Sequence, residues 1–327
     1  MTTQERRLDN GSGRLPALDI FRGFAVLSLI VFNGFYGFSN APRWITHTAW
    51  NGYQFADLIA PLFLFAVGMA MQLSLRKRLE KNGLKSTVGH VLLRGIILIN
   101  FGIIGEILCF KSFNFYWGTL EMIGGCTIIS APIIIYLTPL KRVFTGFCII
   151  FGWFALTALS DQLYAHIISF SMGGPGSIIA WSSIVIISSA IAGFNSDQKT
   201  RTNTEKICLF VALISGYIFM ILNYANLPPN KNLVNSSYLS LSIALSCILF
   251  LIISQFQNLK ILQTLLIPYG ENALLMYMVS DSLNQILQMA VDMNTPLEIL
   301  IPYSLLQILI SSAIVFWLHL KKEIIKI

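Results

Sequence analysis

Residues 19–38, DIFRGFAVLSLIVFNGFYGF, and residues 56–75, ADLIAPLFLFAVGMAMQLSL, are two apolar runs separated only by the short stretch 39–55. A helix of about 20 residues rises about 30 Å, the thickness of a bilayer's hydrocarbon core, so each run is long enough to cross a membrane. Eight further runs of the same kind lie at 91–110, 116–137, 143–160, 178–195, 207–224, 236–254, 262–289 and 299–319. The expected architecture is an all-α integral membrane protein, a bundle of about ten transmembrane helices. No polar stretch is long enough to fold separately, so 1–327 reads as one transmembrane domain.

Composition agrees, because 55% of residues are hydrophobic and 11% charged, too little polar cover for a water-facing surface. The net charge of +7 would suit nucleic acid, but its distribution excludes that reading. Ten spans put both termini on one side, and only Arg43, Lys111 and Lys231 of the 22 Lys and Arg fall in loops on the other. The positive-inside rule makes the terminal side cytoplasmic, with 1–18 as a cytoplasmic segment, and the expected location is the cell's inner (plasma) membrane. Arg6, Arg7 and Arg14 precede an apolar run with no small-residue cleavage site after it, as expected of a first helix and not a signal peptide. The five cysteines lack metal-ligand or redox-pair spacing, so no metal is expected. The basic stretch 76–85, RKRLEKNGLK, reads as a cytoplasmic loop.

Charged and amide side chains inside a membrane cost enough to mark sites. Five are expected at the outer leaflet: Asn33 on the first helix, His47 in the outer loop, Asp57 opening the second, Glu106 late in the third and Glu121 early in the fourth. Each has a structural reading too. Asp57 suits a helix cap, Glu106 an ion pair with Lys111, and Asn33 a bond between helices. On the inner side Asp19 and Arg22 share a helix face, as an ion pair or with Arg22 on a phosphate. Asp281, with Asn284 and Gln285, makes the ninth span polar on one side.

The stretch 14–68 also carries a spaced set of motifs. It holds Leu18, Asp19, Phe21, Arg22 and Gly23, then Asn33, then His47, Trp50, Asn51 and Gly52, then Ala56, Asp57, Pro61 and Gly68. In this order it resembles the catalytic core of the heparan-alpha-glucosaminide N-acetyltransferase-like family of transmembrane acyltransferases. Trp117, Gly118 and Leu120, and later Gly270, Asn272, Leu274 and Tyr277, resemble further family segments. Ala60 and Leu62 stand where the family carries aromatics beside the proline, and Glu121 where a Gln is common.

The resemblance implies a membrane acyltransferase that moves an acetyl group from cytosolic acetyl-CoA to an amine or hydroxyl of a sugar-like acceptor at the outer face, with residues 19–75 as its catalytic part. His47 is then the catalytic group, either general base or transient acyl carrier. Asn33 is expected to donate to the oxyanion or hold the ring, and Asp57 to fix the tautomer. Trp50, Asn51, Glu106 and Glu121 would line the acceptor mouth. Arg22, Arg76, Arg78 and Arg94 would hold the phosphates of CoA. A lipid bilayer is the surrounding partner, and a homodimer fits the resemblance. Ten helices with scattered carboxylates also describe a proton-coupled transporter or flippase, the alternative from another class.

Overall fold

The computed structural model describes residues 15–110, 117–194 and 201–323, except for the side chains of residues 106, 108–110, 171 and 201–203. Among the described residues all regular structure is helical. Helix α1, Pro16–Asn33, starts on a proline whose missing N–H and fixed φ suit a first turn, and it stops at Gly34, short of the expected end at 38. The next helix runs from Phe55 to Phe110 and is broken at Gly83, with φ 72° and ψ 176°. A left-handed φ suits glycine, so the break separates α2 (55–82) from α3 (84–110). Residues 76–85, expected as a loop, are therefore helical on both sides of Gly83.

The chain continues through α4 (Thr119–Tyr136), α5 (Pro139–Leu159), the short α6 (Asp161–Ile168), α7 (Ile178–Gly193), α8 (Arg201–Tyr224) and α9 (Ser236–Phe256). The expected ninth span, 262–289, is two helices, α10 (Lys260–Glu271) and α11 (Ala273–Ala290), and α12 (Leu297–Lys321) closes the chain. Between α10 and α11, Asn272 leaves helical geometry, and its amide donates to the Glu323 carbonyl at 3.0 Å. Among the described residues, eight helices are long and apolar enough to cross a membrane, with Phe55–Gly105 counted as one. The protein is therefore a multi-pass membrane protein.

Packing follows burial. Helix α7 is buried on every side from Ala180 to Gly193, and 83% of its spanning window is enclosed, against 22% for α8; α7 is the core and α8 the lipid-facing edge. Phe21, Phe65 and Phe250 join α1, α2 and α9, with ring centroids 5.4 Å apart for the first pair and 5.9 Å for Phe21 and Phe250. Helices α1 and α10 cross almost backbone to backbone. A Cβ on Gly23 would overlap the Leu266 carbonyl, and one on Gly270 would stand 2.8 Å from the Asp19 carbonyl oxygen. Small residues permit that approach. These contacts hold α1, α2 and α9 side by side.

Candidate active site

Asp57 organises the loop that precedes α2. Its Oδ2 accepts from the Thr48 backbone N–H at 3.2 Å, the Thr48 hydroxyl at 2.8 Å and the Gln54 backbone N–H at 3.0 Å. The last bond is half of a capping box, the side chain of the third helical residue reaching back to the residue that caps the helix. Residues 48–54 are thus folded around one carboxylate oxygen. The other, Oδ1, lies 2.9 Å from His47 Nδ1. Capping the helix and contacting the His47 ring thus fall to separate oxygens of Asp57. With its side chain only 1% exposed, the carboxylate gains these bonds in place of water.

His47 projects from the same loop and is 35% exposed. Its ring stands 4.8 Å from that of Phe32 and 6.4 Å from that of Tyr36, centroid to centroid, at the end of α1. It also lines a cavity of about 190 Å³ whose wall includes Phe32, Phe35, Tyr36, Phe38 and Ile45. With the proton on Nδ1, Asp57 accepts it and the lone pair is left on Nε2; in that tautomer Lys231, 3.0 Å from the same nitrogen, acts on the ring by its charge and not by a hydrogen bond. Burial pushes the imidazole below its ordinary 6.5; the Lys231 charge acts the same way, and the bond to Asp57 opposes both.

Lys231, counted in the sequence only as a rare outer-side charge, comes from the segment 227–235 between α8 and α9. Its Nζ lies 3.0 Å from His47 Nδ1 and 3.9 Å from Asp57 Oδ1. Burial brings its ammonium down to about 8 against the pull of Asp57. Tyr238, in the first turn of α9, donates from its hydroxyl to the Asp57 carbonyl at 2.7 Å. No local motif marks either residue. The signal available for Lys231 was its sign, because a basic residue on the outer side is unusual.

The other expected site residues are distributed differently. The Asn33 amide donates to the Ser280 hydroxyl at 2.9 Å, and Asn284 reaches the Asn33 carbonyl. Asn33 thus gives one of its two amide N–H donors to α11. Asn51 accepts from the Asn230 amide at 3.1 Å, and Trp50 is exposed beside it. Glu121 is buried, with its carboxyl against Gly102 between α3 and α4. The Glu106 side chain and Lys111 lie outside the described residues. Asp281 accepts from the Gln285 amide one turn on, at 3.1 Å.

Near the other ends of these helices, Arg94 lies within electrostatic reach of Arg22 and Arg78, and Arg22 also meets Asp19 at 3.9 Å. Arg76 turns elsewhere. It pairs with Glu80 at 3.2 Å and lines a second cavity of about 220 Å³ with Gln72 and Arg142. The expected four-arginine set is thus a cluster of three and a separate Arg76.

The class defined by fold and site is a multi-pass membrane protein with a carboxylate-oriented histidine at one end of its bundle. The family described as heparan-alpha-glucosaminide N-acetyltransferase, catalytic, matches residues 14–183, just over half of the chain, and the chain belongs to that family. The heparan-alpha-glucosaminide N-acetyltransferase of Mus musculus is 31% identical over 97 residues, 29% of this chain and 14% of that protein. The Homo sapiens protein of the same name is 33% identical over 93 residues, 28% of this chain and 13% of its own. The chain therefore matches about a seventh of the length of these relatives. Lys231 and Tyr238 lie beyond the family-matched stretch.

Proposed function

We propose that this protein is a membrane-embedded acyltransferase that moves an acetyl group from cytosolic acetyl-CoA to an amine or hydroxyl of a sugar-like acceptor at the outer face of the inner membrane. The observation that carries this reading is the His47–Asp57 pair, 2.9 Å apart, beside an aromatic-walled cavity in a chain of this family. Counting 55–82 and 84–110 as two crossings, and α10 with α11 as one, makes ten with both termini cytoplasmic. The distribution of Lys and Arg supports that orientation.

In this mechanism Nε2 of His47 takes the proton from the acceptor, whose nitrogen or oxygen bonds to the acetyl carbon. The carbon–sulfur bond breaks, and the imidazolium returns the proton to the departing thiolate. If His47 instead carries the acetyl group itself, the same lone pair on Nε2 attacks the acetyl carbon and expels the CoA thiolate, and the acceptor then takes the acetyl group from the ring while its proton passes to the thiolate. Either route needs a neutral imidazole, which the burial of His47 favours. Asp57 orients the ring, and the cavity beside it receives the acceptor against Phe32, Phe35 and Tyr36, with Trp50 exposed on the loop that carries the ring. Asn33 acts by holding α1 to α11. The cluster of Arg22, Arg78 and Arg94 suits the phosphates of CoA, because three neighbouring cations are relieved by an anion.

The test uses protein purified in detergent, labelled acetyl-CoA and a panel of amino sugars. Transfer of label to any member supports the reading. If acetyl-CoA is neither bound nor turned over, the reading fails, and gradient-dependent movement of substrate in proteoliposomes tests the transporter or flippase alternative.

A further inference from the structure

The segment 227–235, LPPNKNLVN, is built to hold one side chain in place. Asn235 caps α9 by accepting from the Tyr238 N–H at 2.9 Å, accepts from the Asn230 N–H at 3.1 Å and donates to the Pro228 carbonyl at 2.8 Å. Asn230 accepts from the Leu233 N–H at 3.0 Å. This braced turn is then clamped to the loop that carries His47. Gly52 N–H donates to the Pro229 carbonyl at 2.8 Å, Asn230 to Asn51 at 3.1 Å, and Asn232 to the Ala49 carbonyl at 3.4 Å. Between the clamps, Lys231 turns inward with its side chain 15% exposed.

A lysine in an outer loop ordinarily keeps its ammonium in water, with only its stem on the protein. Lys231 instead brings Nζ to 3.0 Å from His47 Nδ1 and 3.9 Å from Asp57 Oδ1, giving up hydration that a single nearby carboxylate compensates only in part. Asp57 and Lys231 meet the same nitrogen, Asp57 as acceptor of its proton and Lys231 as a neighbouring positive charge. Among the described residues Nε2 has no hydrogen-bond partner. We propose that Lys231 is a positioning residue of His47, closing the Nδ1 side of the imidazole together with Asp57 so that Nε2 alone is presented to the acceptor.

The inference rests on the acyltransferase reading for its role in transfer, but its effect on His47 can be read without any transfer. Among the described residues, the titratable groups around the ring are Asp57 from α2, Lys231 from the 227–235 segment and Tyr36 from the end of α1. A cation beside Nδ1 opposes a second proton on Nε2. Removing it should let His47 protonate more readily, whereas an arginine at the same place should preserve the effect.

The experiment measures modification of His47 by diethyl pyrocarbonate, which reacts with neutral imidazole. It is followed by mass spectrometry of the His47 peptide between about pH 5 and pH 9 in the wild type, Lys231→Met and Lys231→Arg, all purified in detergent. The midpoint should rise by about 1 pH unit in Lys231→Met and stay near the wild type in Lys231→Arg. Acetyl transfer at pH 6 should fall by a few-fold in the methionine variant, as the protonated fraction grows. An unchanged midpoint in Lys231→Met overturns the proposal whatever the activity does, and so does a shifted midpoint with unchanged transfer in an active enzyme. A shifted midpoint in a wild type and variant that both lack transfer supports the Lys231–His47 link and overturns the acyltransferase reading instead.

Discussion

Asp57 gives one carboxylate oxygen to His47, 2.9 Å from Nδ1, and spends the other on folding the loop that carries His47. Orientation of the reacting ring and construction of its loop therefore depend on one side chain. Asp57→Asn keeps the size of the side chain but loses the charge and one acceptor oxygen. Acetyl transfer should fall by about 10²- to 10⁴-fold, as when an imidazole loses its orienting carboxylate. Asp57→Ala should in addition lower stability by about 3 kcal/mol, since buried donors lose a charged acceptor. Turnover and thermal unfolding in detergent check the two effects separately.

The pH dependence follows from two neighbouring groups. His47 is depressed below 6.5, so the neutral ring forms as pH rises through a value lower than that, and transfer should already be on its plateau near neutrality. Lys231 titrates at about 8. Above that pH its ion pair with Asp57 disappears, and transfer should decline by a few-fold in the wild type but not in Lys231→Arg, whose guanidinium stays charged. A pH–rate profile of both proteins shows whether the alkaline limb belongs to Lys231.

Asn33 lies one residue from Phe32, which touches the His47 ring, but its amide serves Ser280 on α11. Asn33→Ala should cost about 1 kcal/mol of stability and leave the pH–rate profile of the remaining activity unchanged. A shift in the profile would return Asn33 to the chemistry.

Gly23 and Gly270 set the crossing of α1 and α10. Gly23→Ala places a methyl against the Leu266 carbonyl, and backbone cannot yield as a flexible side chain does. A loss of about 1–3 kcal/mol, typical of overpacking, should appear as a lower melting temperature, while Gly89→Ala, where a methyl meets open space, should not lower it through packing.

These contrasts show what the sequence could disclose. Hydropathy located the helices because lipid demands long apolar runs. It ran across the break at Asn272 because 262–289 reads as one stretch long enough to cross, whereas neither α10 nor α11 is among the helices long and apolar enough to do so alone. His47 and Asp57 were legible because a loop and the first turn of the following helix bring residues ten apart together. Lys231 and Ser280 were not, since they arrive from 184 and 247 residues away and nothing local fixes which loop or helix they meet. Glu121 was placed by depth alone, whereas its direction around the α4 axis turns it against Gly102.

The central claim is that His47 performs acetyl transfer, and the most direct test is labelled acetyl-CoA with wild type and His47→Ala at matched melting temperatures. The account predicts transfer by the wild type and a loss of at least about 10²-fold in the variant, with binding of acetyl-CoA retained. Equal transfer by a folded His47→Ala protein would contradict it.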